Sequence, residues 1–221
     1  MVIPHYGRYE LLQGCLAALW KNTALEIEVV VVDNGTGHEI DADVVVRNPE
    51  NLGFAKAANQ GAAAAGGDIL VHLNNDTEVH EGWLEPLVDH LEAGAGIVGS
   101  LLLHPDGNVQ HAGIRLYRNT RGELTAENRK QHYAGGEVEA VTGACMAIRR
   151  DVFFRLGGFD EGFRNGYEDV SLCLDARQAG WSVVYEPASV VTHQETASGP
   201  VRLAALRENI ARLQQLWAAR V

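Results

Sequence analysis

The hydrophobic pattern of the first half of the chain alternates between short apolar runs and stretches with helical spacing. Continuous β-branched runs such as 27–32 are typical of strands buried on both faces, whereas apolar residues three and four apart, as in 8–22, are typical of amphipathic helices. In chain order the pattern predicts strands at 1–4, 27–32, 44–46 and 69–73 and helices at 8–22, 54–65 and 83–92. This order predicts an α/β fold with a Rossmann-like, mostly parallel central sheet flanked by helices.

The pattern becomes less regular in the second half. Apolar runs at 97–103 and 109–116 flank a turn sequence at 104–108, which predicts two strands around a tight reversal. We interpret residues 117–136, which are polar and show little periodicity, as a mobile surface loop. The remaining predicted elements are strands at 139–148 and 181–185 and helices at 168–178 and 201–219. We therefore expect a small antiparallel portion beside the parallel sheet, within a single domain over residues 1–221.

Polar side chains follow directly after two of the predicted strands. Asp33 follows the strand at 27–32, and Asn74, Asn75 and Asp76 follow the strand at 69–73. Open α/β sheets bind ligands at the edge formed by the carboxyl ends of their parallel strands. Asp76 offers a hard oxygen to a divalent cation, and the two asparagines are short hydrogen-bonding groups suited to a ribose or to metal-bound water. The sequence therefore predicts a site for a metal ion and a nucleotide at this edge.

Composition and charge limit the classes of molecule that the protein is expected to bind. The 221 residues are 46% hydrophobic and carry a formal net charge of −11, which argues against general nucleic-acid binding. An acidic protein that binds a diphosphate has to neutralise it locally, and Mg²⁺ or Mn²⁺ held by Asp76 would do so; the acid excess is alternatively solvated surface. Cys15, Cys145 and Cys173 lack metal-ligand spacing, and we expect buried, reduced thiols.

The sequence also gives an expected location. It contains no apolar run of the roughly 20 residues that span a bilayer and no signal-peptide pattern at its start. We expect a cytoplasmic protein without a transmembrane segment, with peripheral association at the inner face of the plasma membrane and further domains in the natural protein as open alternatives.

Seven segments that together cover almost the whole chain carry a joint resemblance to a known family. They are VIPHYGR (2–8), VVVVDNGT (29–36), NLGFAKAANQG (51–61), LNNDTEV (73–79), VTGACMAIRRDVFFRLGGFDEGF (141–163), NGYEDVSLCLDARQAGWSVVYEP (165–187) and VVTHQETAS (190–198). In this order they resemble the inverting nucleotide-sugar glycosyltransferases of family 2, in particular rhamnosyltransferase-like bacterial members that build surface polysaccharides. The resemblance implies a GT-A fold, Mn²⁺ or Mg²⁺, and direct displacement with inversion from a UDP- or dTDP-linked sugar to a hydroxyl of a glycan or glycolipid.

The resemblance also assigns residues to the donor. The donor-binding residues it implies are Pro4, His5, Tyr6, Asp33, Asn51, Gly53, Lys56, Asn74, Asn75, Gly143 and Glu168. Asp33 would accept hydrogen bonds from the base or ribose, and capping of the next turn is its structural alternative. Lys56 lies at the start of a helix, where free N–H groups favour an anion, but it is equally a solvated side chain. Tyr6 would line the base pocket or belong to the core.

Three side chains are expected to carry the metal ion and the chemistry. By resemblance Asp76 and His193 would bind the metal, although a lone histidine is usually structural. An acceptor hydroxyl becomes a better nucleophile as a base removes its proton. Asp169 matches the family's base and opens a predicted helix, where the helix dipole stabilises a carboxylate; a plain capping role is the alternative.

Two departures from the family pattern keep a second class of function in consideration. The family often has an acidic residue at the position of Ser171 and a basic one at that of Asp175, which changes the expected acceptor side. The alternative is a nucleotide-sugar or carbohydrate-binding domain that has lost turnover within a larger assembly protein. In the enzyme reading, residues of about 1–100 bind the nucleotide sugar and about 101–221 bind the acceptor, a glycan or lipid-linked glycan, and carry out catalysis. The sequence leaves the donor sugar, nucleoside, acceptor, linkage and oligomeric state undetermined.

Overall fold

The apolar runs of the sequence form one large sheet, and the amphipathic stretches form helices on its two faces. A computed structural model describes residues 1–194 and 199–220. Its elements are β1 (Val2–His5), α1 (Tyr9–Asn22), β2 (Val30–Asn34), β3 (Val44–Asn48), α2 (Phe54–Ala64), β4 (Ile69–Leu73), β5 (Thr77–Val79), α3 (Glu85–Glu92), β6 (Ile97–Leu103), β7 (Val109–His111), β8 (Ile114–Arg118), β9 (Leu124–Asn128), β10 (Gly136–Glu137), β11 (Cys145–Arg149), α4 (Arg150–Arg155), α5 (Glu168–Gln178), β12 (Val183–His193) and α6 (Gly199–Trp217).

The main strands share one direction with few exceptions. The sheet order is β10-β12-β6-β11-β4-β1-β2-β3, with β5 paired to β12 and β7 paired to β6. The pairs β1–β2, β1–β4, β2–β3 and β6–β12 are parallel, whereas β11 runs antiparallel to both β4 and β6. Strands β8 and β9 form a separate small antiparallel sheet. The predicted α/β architecture, mostly parallel with a small antiparallel portion, is confirmed.

Alternation along the strands gives the sheet a buried core on each face. Neighbouring strand residues point to opposite faces, so Val30 packs in one cluster with α2 and α5, while Val31 packs in the other with α1 and α3. Trp83 and Phe159 are both buried, one in each cluster. All three cysteines are free and buried, as predicted.

The predicted surface loop at 117–136 is wrong for part of its length. Leu124–Asn128 forms β9, which pairs with β8 so that Leu124 lies opposite Arg118. Gln214 of α6 accepts a hydrogen bond from the amide of Leu124 at 2.9 Å and donates to its carbonyl at 2.6 Å. The strand was missed because its residues show little apolar periodicity and one of its two partners, Gln214, lies 90 residues away along the chain.

Three predicted strands in the second half of the chain have different bounds in the structure. The run at 109–116 is divided into β7 and β8 by Gly113, whose φ of +83° interrupts an extended strand. The run at 139–148 becomes a strand only at Cys145, where it meets the end of β4 at Leu73. The predicted strand at 181–185 continues as β12 to His193, because β6 and β5 both pair with its second half.

Close packing of α2 on the sheet depends on a glycine. A Cβ added to Gly61 would lie 2.5 Å from Cγ1 of Val2 and 3.0 Å from Cγ2 of Val32. We expect Gly61→Ala to lower the free energy of unfolding by about 1–3 kcal/mol through overpacking. A Cβ added to Gly14, in the interior of α1, would lie in open space. Gly14→Ala should therefore raise the free energy of unfolding by about 0.5–1 kcal/mol. Urea denaturation of both variants is the measurement, and equal shifts of the same sign would contradict the packing argument.

A buried histidine in β4 makes stability depend on pH. His72 is fully buried between Phe153 and Phe159, and its ring nitrogens have no hydrogen-bond partner among the described residues. Burial lowers the pKa of His72 from 6.5 to about 3, so between these pH values the unfolded chain takes up a proton that the folded chain does not. The contribution of this pKa difference to the free energy of unfolding is therefore fully present above pH 6.5, and it is lost as the pH falls toward 3.

Replacement of this histidine tests the pH dependence. Lowering the pH from 7 to 5 should reduce the free energy of unfolding of both proteins. We expect the reduction in His72→Leu to be smaller than that in the wild type by about 1–2 kcal/mol. Denaturant titrations at the two pH values measure this difference. Parallel losses in both proteins would show that His72 does not titrate on unfolding.

Candidate active site

The carboxyl ends of the parallel strands bring the predicted polar residues to one edge of the sheet. In the strand register His5 lies beside Asp33, and Asp33 lies beside Arg47. Asn75, just beyond β4, places its Nδ2 2.8 Å from Nδ1 of His5. Asn74 follows β4 directly, and its amide donates to the carbonyl of Ala144 at 3.0 Å. Residues from four separate strand ends therefore form one polar surface.

Asp76 and His193 meet at this edge because β5 pairs with the end of β12. Thr77, the first residue of β5, lies opposite His193 in the antiparallel ladder. Oδ1 of Asp76 is 3.1 Å from Nε2 of His193, and Nδ2 of Asn74 is 3.2 Å from the same nitrogen. The two side chains are 6% and 10% exposed. The structure thus brings both predicted metal ligands together, with Asn74 beside them.

The spacing of these two side chains fits a shared cation. Adjacent ligand atoms of an octahedral ion with bonds of about 2.1 Å lie about 3.0 Å apart, close to the separation of Asp76 and His193. Within residues 1–194 and 199–220, no group of three or more His, Cys, Asp or Glu side chains is arranged to hold a metal ion. Of the residues described, Asp76 and His193 would therefore supply two ligands, with oxygens of a diphosphate or of water completing the coordination. Imidazole suits Mn²⁺ better than Mg²⁺.

The predicted base pocket contains a histidine pair. Nε2 of His5 is 3.0 Å from Nδ1 of His38, and the two rings lie near Tyr9. Burial, together with the neighbouring His38, lowers the pKa of His5 to about 4, although Asp33 opposes the shift. His5 is therefore neutral near pH 7 and offers this edge hydrogen bonds without charge. Tyr6 is 54% exposed, which excludes its alternative role in the core.

Asp33 already has a full set of hydrogen bonds. Oδ1 accepts from the amide and the hydroxyl of Thr36 at 2.9 and 2.6 Å, and Oδ2 accepts from the amide of Gly37 at 3.0 Å and from Arg47 at 2.9 Å. Burial acts to raise the pKa of Asp33, but these bonds outweigh it and keep the pKa below its usual value. The geometry thus fits the turn-capping alternative, and a contact from Asp33 to the base stays a prediction.

Asn34, which was not among the predicted site residues, organises the turn before α2. Its Nδ2 donates to Oδ1 of Asn51 at 2.8 Å and to the carbonyl of Gly53 at 3.2 Å, while its Oδ1 accepts from the amide of Leu52 at 3.0 Å. Gly53, at φ +88°, is the residue that precedes α2. Asn34 could have been identified from the sequence because it directly follows Asp33 at the end of a strand. Lys56 is exposed on α2, so the structure leaves both of its predicted roles in place.

Asp169 lies next to the carboxyl end of β4, as a base for the acceptor requires. Its Oδ2 accepts a hydrogen bond from the amide of Gly143 at 2.9 Å, and Gly143 precedes Ala144, whose carbonyl binds Asn74. Oδ1 accepts from the amide of Val170 at 2.8 Å. A carboxylate has about four lone-pair positions, so the half-buried Asp169 has capacity for a further hydrogen bond.

The segment before α5 holds Asp169 at the helix start. Asn165 and Tyr167 have positive φ values of 50° and 74°, which residues other than glycine rarely adopt. Oδ1 of Asn165 accepts from the amide of Phe54 at 3.3 Å and thereby connects this segment to the start of α2. Glu168 is buried and accepts from the amide of Gly166 at 2.6 Å, so its carboxylate faces the segment itself. Strain concentrated beside a candidate catalytic residue is consistent with a functional constraint.

The two departures from the family pattern face the C-terminal helix. Ser171 is buried, and its hydroxyl accepts a hydrogen bond from the indole of Trp217 at 3.1 Å. Burial raises the pKa of the Asp175 carboxyl, and Arg220 partly offsets that shift. Ser171 therefore packs α5 against α6.

Part of the segment VVTHQETAS, residues 195–198, lies outside the described residues.

A separate surface groove of about 940 Å³ lies at the opposite end of β4. Asp68, Ile69 and Phe154 are among the residues that line it. Arg149, also in its wall, pairs with Asp151 at 3.1 Å. None of the predicted site residues lines this groove, so the strand-end edge is the better candidate for the chemistry.

Comparisons with known proteins assign the chain to a family. Residues 1–157 match the glycosyl transferase family 2 domain, a range that ends before Asp169 and His193. The chain is 30% identical over 221 residues to the O-antigen biosynthesis protein RfbC of Myxococcus xanthus, covering 90% of this chain and 17% of that protein. It is 28% identical to the N-acetylglucosaminyl-diphospho-decaprenol L-rhamnosyltransferase of Mycobacterium tuberculosis, covering 88% of this chain and 73% of the relative.

A solved structure shares the architecture. The chain superimposes on the crystal structure of GalNAc-T7 with UDP, GalNAc and Mn²⁺ with a TM-score of 0.74 and 22% identity, over 97% of this chain and 47% of that one. At this identity the likeness shows the fold, and the predicted GT-A fold is confirmed. Because the family domain matches residues 1–157, well over half of the 221 residues, this chain belongs to glycosyl transferase family 2.

Proposed function

We propose that this chain is a metal-dependent, inverting glycosyltransferase. It moves a sugar from a UDP- or dTDP-linked donor to a hydroxyl of a glycan or glycolipid acceptor in cell-surface polysaccharide synthesis. The observation that carries the proposal is the meeting of Asp76 and His193 at 3.1 Å beside β4, with Asp169 held near the same strand end by Gly143. The names of the relatives, one in O-antigen biosynthesis and one a rhamnosyltransferase on a diphospho-decaprenol, support the pathway and the acceptor class.

The donor side of the proposed site is built for a nucleoside diphosphate. Asp76 and His193 would hold Mn²⁺ or Mg²⁺, which when bound neutralises negative charge on the departing diphosphate. Neutral His5 bonds Asn75 and thereby positions this asparagine at the nucleoside side of the site without adding charge. The turn at Gly53 presents the start of α2, whose free N–H groups favour an anion.

The acceptor side of the proposed site needs a single base. Asp169 removes the proton of the acceptor hydroxyl as its oxygen attacks the anomeric carbon. The amide of Gly143 orients the carboxylate, which lies in the first turn of α5. One base on the acceptor side and a leaving diphosphate on the other correspond to direct displacement, which inverts the anomeric configuration.

The proposal also covers organisation and location. Residues of about 1–100 form the half that binds the nucleotide sugar, and about 101–221 form the half that binds the acceptor. Among the described residues no helix is long and apolar enough to cross a membrane. A lipid-linked acceptor would place the chain at the cytoplasmic face of the plasma membrane.

A donor screen tests the proposed function. Purified chain is incubated with UDP-, dTDP- and GDP-sugars and a set of glycan and polyprenyl-diphosphate acceptors, with Mn²⁺ or with chelator, and nucleoside diphosphate release is measured. We expect release with a UDP- or dTDP-sugar that requires both Mn²⁺ and an acceptor. Undiminished release in chelator would overturn the metal dependence, and a product that retains the anomeric configuration would overturn the displacement mechanism.

A further inference from the structure

Gln110, a buried glutamine of β7, contacts the candidate metal ligand His193 in two places. Its Oε1 is 2.7 Å from Nδ1 of His193, and its Nε2 donates to the main-chain carbonyl of His193 at 3.3 Å. Nε2 of Gln110 is also 3.1 Å from Nδ1 of His104. The glutamine is only 6% exposed, so these contacts lie in the interior of the protein.

The position of β7 explains how this contact forms. One edge of β6 pairs with β12, where Leu103 lies opposite Thr192, and the other edge pairs with β7, where Leu103 lies opposite Val109. Gln110 therefore reaches past the end of β6 to the last residue of β12. No sequence signal connects residues 110 and 193, because only the sheet order brings them together.

The hydrogen bonds determine which nitrogen of His193 carries its proton. A main-chain carbonyl only accepts hydrogen bonds, so the atom of Gln110 that faces it is the NH₂ group, and Oε1 must face Nδ1. Because Oε1 also only accepts, Nδ1 is the protonated nitrogen. In the neutral ring Nε2 is then the acceptor nitrogen, with Nδ2 of Asn74 at 3.2 Å and Oδ1 of Asp76 at 3.1 Å from it.

Two acceptor atoms that face each other at 3.1 Å are stabilised by a cation between them. We propose that Gln110 is a positioning residue that fixes the ring orientation and the Nδ1–H tautomer of His193, so that Nε2 can bind the metal ion beside Asp76. This inference rests on the proposed function, since it assumes that Asp76 and His193 bind the metal of the donor complex. Residues that hold a metal-binding histidine in this way typically change metal affinity by about 10- to 100-fold when replaced.

Substitutions that keep or remove the acceptor test this role. Gln110→Met retains the length of the side chain but removes the acceptor, and we expect it to weaken Mn²⁺ binding by about 10- to 100-fold. Gln110→Glu retains an acceptor for Nδ1, as in carboxylate–histidine–metal arrangements, and should stay within about threefold of the wild type. Mn²⁺ is titrated into each protein with UDP or dTDP present, and free Mn²⁺ is followed by electron paramagnetic resonance.

A matched control separates positioning from general packing. Gln214 bonds both main-chain groups of Leu124, away from the candidate site, so Gln214→Met should lower the melting temperature but leave Mn²⁺ affinity unchanged. If Gln110→Met does not fold, Gln110→Asn withdraws the carbonyl from Nδ1 and should show the same loss.

The outcomes distinguish this inference from the proposed function. Wild-type affinity in Gln110→Met, or a loss in Gln110→Glu as large as that in Gln110→Met, would overturn the positioning role alone. A wild-type protein that binds no Mn²⁺ with either nucleotide would overturn the proposed metal site and the positioning role with it.

Discussion

Replacing Asp169 with asparagine is expected to slow sugar transfer by about 10²- to 10⁴-fold, the usual contribution of a general base. Asparagine keeps the shape of the side chain and an oxygen that can accept from the amide of Gly143, as Oδ2 of Asp169 does at 2.9 Å. The amide of Val170 loses its bond to the second oxygen, but that bond lies within α5, so donor binding should change little while the capacity to take a proton is lost. Initial rates with saturating donor and acceptor, together with calorimetric donor affinity, measure the two effects separately.

Asp175 provides the control on the same helix. Its carboxyl is half-buried near Arg220 rather than at the strand ends, so Asp175→Asn should retain most of the transfer rate. Transfer by Asp169→Asn at the wild-type rate would show that another group is the base. An equal loss in both variants would point to damage to α5 instead.

Replacing Asp76 with asparagine is expected to lower the transfer rate at fixed Mn²⁺ by about 10³-fold, since the metal contributes several kcal/mol to stabilising charge in the transition state. Mn²⁺ affinity should fall by more than about 100-fold, because residues that only support a ligand already account for about 10- to 100-fold. In contrast to Asp169→Asn, part of the lost rate should return at high Mn²⁺ concentration. Rates across a Mn²⁺ series and electron paramagnetic resonance titrations measure these effects.

Glu78 is the matched control for Asp76. It lies two residues further along in β5, is exposed, and accepts a hydrogen bond from Gln194 at 3.3 Å. Glu78→Gln removes one negative charge two residues from Asp76 and should leave Mn²⁺ affinity within about twofold, since exposed charges interact weakly through solvent. Unchanged Mn²⁺ affinity in Asp76→Asn would remove Asp76 from the metal site.

Local pattern was sufficient for most elements in the first half of the fold, although it did not predict β5. The β-branched run at 27–32 and the stripe at 8–22 correspond to β2 and α1, although β2 begins later, at Val30. Strand β2 was predictable because it is buried on both faces, which favours a nearly continuous apolar run, and α1 was predictable because one face of an amphipathic helix is apolar. The end of such a run therefore also marked where polar residues such as Asp76 emerge.

Pairing between distant segments decided the rest. Strand β9 carries no strong apolar pattern, and it forms because β8 supplies its ladder and Gln214 of α6 bonds Leu124. Strand β12 extends to His193 because β6 and β5 both pair with its second half. Hydrogen bonds to residues far along the chain stabilise these segments, and a single sequence does not record them.

The sequence by itself determined the type of fold and the acids and amides at the strand ends, because burial fixes which residues lie inside and where a strand leaves the core. Only the tertiary structure decided that Asp33 is saturated with hydrogen bonds, that Ser171 binds Trp217, and that Gln110 holds His193 beside Asp76. Each of these roles depends on the distance between two atoms from different elements, and that distance is set by the order and register of the strands.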